Sequence, residues 1–126
     1  MKLLVDTHCL IWLLTDAPQL DAAARRSIGD AENVWFSDAS IWELALKWRK
    51  GKIALQPRHI VRQAITNGLR CLPIHQEALL LSCELRQSHT DPFDRLIYAQ
   101  AKHGRFRLLS IDRRLAAFGA TVLTPK

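Results

Sequence analysis

The sequence predicts an α/β fold with a mostly parallel central sheet, and three observations lead there. Short apolar runs alternate along the chain with longer amphipathic stretches, which is the pattern of βα units. The first run, Leu3-Leu4-Val5, is continuously apolar, as a strand buried on both faces must be. No linker, repeat or low-complexity segment interrupts the pattern, and 126 residues suit one domain, expected to span 1–126.

The elements follow in order. Lys2 to Val5 is the first strand, and it stops at Asp6-Thr7. Leu10 to Leu14 reads as a mostly apolar helix ended by Asp16 and Pro18, and Leu20 to Ile28 as an amphipathic one closing near Gly29. Val34-Trp35-Phe36 is a second strand, followed by the cap signal Ser37-Asp38. The helix from Ala39 to Lys50 stacks Ile41, Leu44, Ala45 and Trp48 on one face, with Gly51 as its C′ residue. Pro57 opens a helix that ends at Gly68, Leu69 to Ile74 holds a short strand, and Glu77 to Leu85 is helical. Asp91 to Ala101 is the best-marked helix: Asp91 as N-cap, Pro92 at the first position, Phe93, Leu96, Ile97 and Ala101 on one face, Gly104 as stop. Phe106 to Ile111 is a strand ending at Asp112, Leu115 to Phe118 a turn or two of helix, and Ala120 to Leu123 a last strand.

Bulk chemistry narrows the partners. The formal net charge is +6 and the pI near 9.7, which favours a polyanion such as nucleic acid. Cys9, Cys71 and Cys83 are odd in number and lack a C-x-x-C spacing, so a disulfide framework or zinc knuckle is disfavoured and buried reduced thiols are expected. The apolar start before Asp6 is too short for a signal peptide, and no apolar run approaches a membrane span. A cytoplasmic protein without membrane partners is expected.

Against this basic background, only 12 residues are Asp or Glu, yet several fall at one place in the fold. In an open parallel sheet, ligands sit beyond the carboxyl ends of the strands. Asp6 and Asp112 both stand where an apolar strand gives way, and Asp94, at a helix N-terminus, faces the same edge. Asp91 and Asp94 read equally as helix caps. Glu43 is either a surface partner for Lys47 at i+4 or, flanked by Trp42, Leu44 and Leu46, the edge of a cleft. Carboxylates gathered together repel unless a cation is supplied, and hard oxygen donors suit Mg²⁺ or Mn²⁺. Thr7 and Ser110 read either as turn hydroxyls or as groups that orient the carboxylates. Arg95 and Arg113, near that edge, are the basic residues best placed to meet a nucleic-acid phosphate or hold a carboxylate. Trp42 or Trp48 would stack a base if not used in the core or an interface. His8 and His89 flank the acidic blocks without a zinc-hydrolase spacing, and no phosphate-binding glycine loop or nucleophile elbow is present.

Four blocks then carry a resemblance over essentially the whole chain: Asp6-Thr7-His8, Ser40-Ile41-Trp42-Glu43-Leu44, Asp91-Pro92-Phe93-Asp94-Arg95-Leu96-Ile97 and Leu109-Ser110-Ile111-Asp112. In this order they resemble the signature blocks of the PIN domain, and more closely the VapC-type toxins of toxin–antitoxin pairs. The resemblance implies a three-layer α/β/α sandwich, Mg²⁺- or Mn²⁺-dependent endoribonuclease activity and neutralisation by a small antitoxin. It puts the family's acidic quartet, catalytic and metal-holding, on Asp6, Glu43, Asp94 and Asp112, with Asp91 a cap or outer residue. A homodimer is expected from the apolar surplus of the first helices and of the Trp42–Trp48 helix. Two other classes fit acids at strand ends: a phospho-accepting signalling domain, disfavoured by the single acid after the first strand, and a silent PIN-like binding module.

Overall fold

The structure, a computed structural model, describes residues 1–86, 91–110, 112 and 122–123. Its elements run β1 (Lys2–Val5), α1 (Thr7–Leu14), α2 (Ala22–Asp30), β2 (Asn33–Ser37), α3 (Asp38–Arg49), α4 (Pro57–Thr66), β3 (Arg70–Leu72), α5 (Gln76–Glu84), α6 (Pro92–Gly104), β4 (Arg107–Leu109) and β5 (Val122–Leu123). The strands form one five-stranded sheet in the order β3-β2-β1-β4-β5, and every pairing is parallel. The expected helix over Leu115–Phe118, together with Arg113 and His89, lies outside the described residues.

Alternation along the strands sorts the core into two layers. Leu3, Val5, Phe36 and Leu109 face Cys9, Leu10, Ala24, Leu44, Ile60 and Ala64 from the first four helices. Leu4 and Leu108 face the other way, onto Ala39, Ala78 and the α6 residues Leu96, Ile97 and Ala101. β1 is thus buried on both faces, which is why its run is continuously apolar. Burial alone would not fix α6 against the sheet; Gln100 adds polar specificity, accepting from the Ser37 hydroxyl and donating to the Pro73 carbonyl.

Several boundaries differ from expectation for local reasons. α1 starts at Thr7, three residues early, because the Asp6 side chain caps it. Ser37, not Asp38, is the N-cap of α3. Helix α6 ends at Gly104, as expected, and Arg105 takes the left-handed turn that caps it, with φ of 59°. Gly104 is required for a different reason, since a Cβ there would meet the Phe106 ring at 2.5 Å. Among the described residues no helix is long and apolar enough to cross a membrane. Cys9 is buried as expected, but Cys83 is exposed, at the end of a helix that packs by one face only.

Candidate active site

The candidate site is built at the carboxyl edge of the two central strands. The Asp6 amide donates to the Leu109 carbonyl at 2.9 Å, extending the β1–β4 ladder one residue past β1. Asp6 and Ser110 therefore leave the sheet side by side. The Asp6 carboxylate, 3% exposed, accepts from the Cys9 amide through Oδ1 at 2.8 Å and from the Ser110 hydroxyl through Oδ2 at 2.7 Å. The same hydroxyl accepts from the Asp112 amide at 3.0 Å. One buried serine thus ties the backbone that carries Asp112 to the carboxylate of Asp6.

Helix α3 enters the same edge, because β2 ends there. Glu43 sits one turn in, 6% exposed, and its Oε1 accepts from the Thr7 hydroxyl at 2.6 Å. Thr7 also meets the Ser40 hydroxyl at 2.9 Å. A hydroxyl has one proton, and a carboxylate only accepts, so Thr7 gives its proton to Glu43 and receives one from Ser40. Ser40 has no counterpart among the sequence-derived site residues, although its i, i+3 spacing from Glu43 puts both on one helix face. The outer oxygen of Glu43 meets the Lys47 ammonium at 3.0 Å. Glu43 is the i, i+4 partner of Lys47, as one sequence reading has it, but it is buried and not a surface residue.

Asp94 stands on the first turn of α6, half-buried. Asp91 is the cap, its Oδ1 accepting from the Phe93 and Asp94 amides at 2.9 and 3.0 Å. The next residue, Phe93, packs edge-to-face on Trp42 with ring centroids 5.1 Å apart, bringing the start of α6 against α3 beside Glu43. The hydrogen bonds therefore join Asp6 to the backbone of Asp112, and Glu43 to the residue after Asp6. Among the described residues no three carboxylate, imidazole or thiol groups are gathered at metal-holding distance. The donors at this edge are carboxylate and hydroxyl oxygens, a hard set that suits Mg²⁺ or Mn²⁺, and the outer oxygen of Glu43 already faces a cation.

Other sequence candidates serve the fold. The Arg95 guanidinium donates to the carbonyls of Ser82 at 3.0 Å and Leu85 at 2.6 Å, closing the C-terminal turn of α5. His8 is exposed and lies edge-on to Trp12. Asp38 accepts from the Cys71 thiol at 3.0 Å, and burial followed by that carboxylate pushes the thiol up to about 12.

Residues 3–120 match the family model of the PIN domain. The chain is 32% identical over 114 residues to Ribonuclease VapC22 of Mycobacterium tuberculosis, covering 89% of this chain and 88% of that protein. Among solved structures it resembles a toxin-antitoxin complex from Klebsiella pneumoniae, with TM-score 0.69, 21% identity, and 98% and 97% of the two chains covered. VapBC2 from Rickettsia felis, bound to a DNA fragment from its promoter, superposes with TM-score 0.70 at 14% identity, covering 98% and 97% of the two chains.

Proposed function

The chain belongs to the PIN-domain family, in its VapC ribonuclease branch, and on that premise we propose that it is a divalent-metal-dependent endoribonuclease, the toxin of a toxin–antitoxin pair. Residues 1–126 form a single nuclease domain. The observation that carries the reading is the pair of hydroxyl ties at the carboxyl edge, Ser110 to Asp6 and Thr7 to Glu43, which orient two buried carboxylates drawn from distant parts of the chain.

Asp6, Glu43, Asp94 and Asp112 would hold Mg²⁺ or Mn²⁺. The chemistry such an ion supplies when bound is activation of water and neutralisation of phosphoryl charge. The chain's own residues set the stage for it. Ser110 turns Oδ2 of Asp6 and holds the Asp112 backbone, while Ser40 and Thr7 fix the rotamer of Glu43. The basic surface raises the local concentration of an RNA backbone around this acidic edge.

A cognate antitoxin covers the toxin through the groove between α3 and α4, about 690 Å³, lined by Ile41, Trp48, Pro57 and Val61 and rimmed by Arg58 and Arg62. That lining fits an apolar segment carrying acidic side chains, and the toxin–antitoxin assemblies of the structural relatives support such a partner. The active form is a homodimer.

The test is cleavage of single-stranded RNA in Mn²⁺. Asp6→Asn and Asp94→Asn each abolish cleavage and keep the native circular dichroism. Added Mn²⁺ raises the melting temperature of the native chain more than that of Asp6→Asn, as mass action requires of a site present only in the folded state. Full-rate cleavage by both variants in EDTA refutes the reading. Labelling by acetyl phosphate in place of RNA cleavage selects the phospho-accepting alternative.

A further inference from the structure

Two aromatic rings meet beside the carboxylates, and each is a sequence neighbour of one of them. Trp42 precedes Glu43, Phe93 precedes Asp94, and the rings pack edge-to-face with an interplanar angle of 73°. Glu43 turns into the protein, and the indole, a third of a turn round α3, stands 57% exposed. An exposed indole forgoes apolar burial worth roughly 25 cal/mol per Å². This one also occupies a defined pose, because the edge-to-face contact with Phe93 restricts its rotamers while leaving most of its surface to solvent.

Charge on the same helix matches. Lys47 is taken up by Glu43, but the exposed Arg49 lies seven residues after Trp42, hence on the same helix face about two turns away. A rigid, exposed aromatic face with a cation on the same side suits a single-stranded nucleic acid, one base stacking while a backbone phosphate meets the charge.

We propose that Trp42, braced by Phe93, is a base-stacking platform that positions single-stranded RNA over the carboxylates of the candidate site. This rests on the ribonuclease reading, and the experiment separates the two. Binding of a fluorescein-labelled RNA oligonucleotide is followed by anisotropy in an Asp6→Asn background, which keeps the strand intact. Trp42→Ala weakens binding about ten-fold or more, Trp42→Phe recovers most of the loss, and the melting temperature stays near that of the parent. In the cleaving protein the loss falls on KM more than on kcat. Scanning the oligonucleotide with single abasic sites finds one position whose base loss weakens the parent but adds nothing in Trp42→Ala.

Binding by Trp42→Ala within two-fold of the parent overturns the platform, as does an abasic scan in which every position still adds its full effect. Light scattering that shows Trp42→Ala to be a monomer beside a dimeric parent also overturns it, assigning the ring pair to a contact between copies. If the native chain with Mn²⁺ neither binds nor cleaves RNA, the ribonuclease reading falls and takes the platform with it. If cleavage persists and only the Trp42 effects are missing, the platform alone falls.

Discussion

Ser110→Ala is the sharpest probe of the candidate site, because one fully buried hydroxyl makes two bonds there. It donates to Oδ2 of Asp6 at 2.7 Å and accepts from the Asp112 amide at 3.0 Å. A hydrogen bond to a charged group contributes roughly 1.5–3 kcal/mol and a neutral one about 1 kcal/mol. The Asp112 end is half-buried, so water replaces part of its bond, and the Asp6 end dominates. The expected loss is about 2–3 kcal/mol, and Ser-to-Ala leaves almost no cavity to add to it. In a domain of this size that lowers the melting temperature by about 10 °C. Urea unfolding gives the free energy directly, through a shifted midpoint at constant slope. Groups that orient metal-holding carboxylates are typically worth about 10–100-fold in affinity or activity, so RNA cleavage falls by that factor and the apparent requirement for Mn²⁺ rises. A variant within about 0.5 kcal/mol of the native chain, cleaving at the native rate, would mean that Ser110 does not hold the site together.

Three further outcomes follow from other contacts. Arg95→Ala removes two charged donors from the end of α5 and destabilises by about 1–3 kcal/mol, while RNA affinity by filter binding changes less than two-fold. Asp91→Ala costs about 1 kcal/mol of cap energy and leaves substantial cleavage activity, whereas Asp94→Ala ends cleavage with a smaller change in melting temperature. Cys71 keeps its proton in the native state up to about 12, against 9.0 in the unfolded chain, so stability present below pH 9 is lost as pH rises from 9 toward 12. Unfolding midpoints measured at pH 8 and 10.5 diverge less in Asp38→Asn, and iodoacetamide labels Cys83 ahead of Cys71.

The legibility of this fold followed the range of the forces. Where an element is set by its own residues, the sequence reading holds: the β1 run, Pro57 opening α4, and Gly51 and Gly68 at positive φ after their helices. Boundaries set by a side chain reaching back, such as Asp6 capping α1 or Ser37 capping α3, shift by one to three residues because several polar residues compete for each cap. Gly104 marks the end of α6 as read, but the Phe106 ring that leaves no room for a Cβ there is a tertiary contact. At the site, strand grammar put Asp6 and Asp112 at one edge, and the structure links Asp6 to the Asp112 backbone through Ser110. That grammar could not show that Arg95 would be taken up by α5 carbonyls, or that Ser40 would join Thr7. Those depend on how α5, α6 and α3 stack, which periodicity does not encode.

The central place of β1 bears on when this chain can become active during synthesis. β1 is flanked on one side by β2 and on the other by β4, and Asp6 is held by a serine 104 positions later. Contacts that far apart form last, after the closure entropy of a long loop has been overcome. A nascent chain can assemble the β1–β2–β3 half while still attached to its ribosome. The edge where Asp6 meets Ser110 closes only once the chain has been extended past Ser110, so half of the sheet stands assembled before the candidate site does.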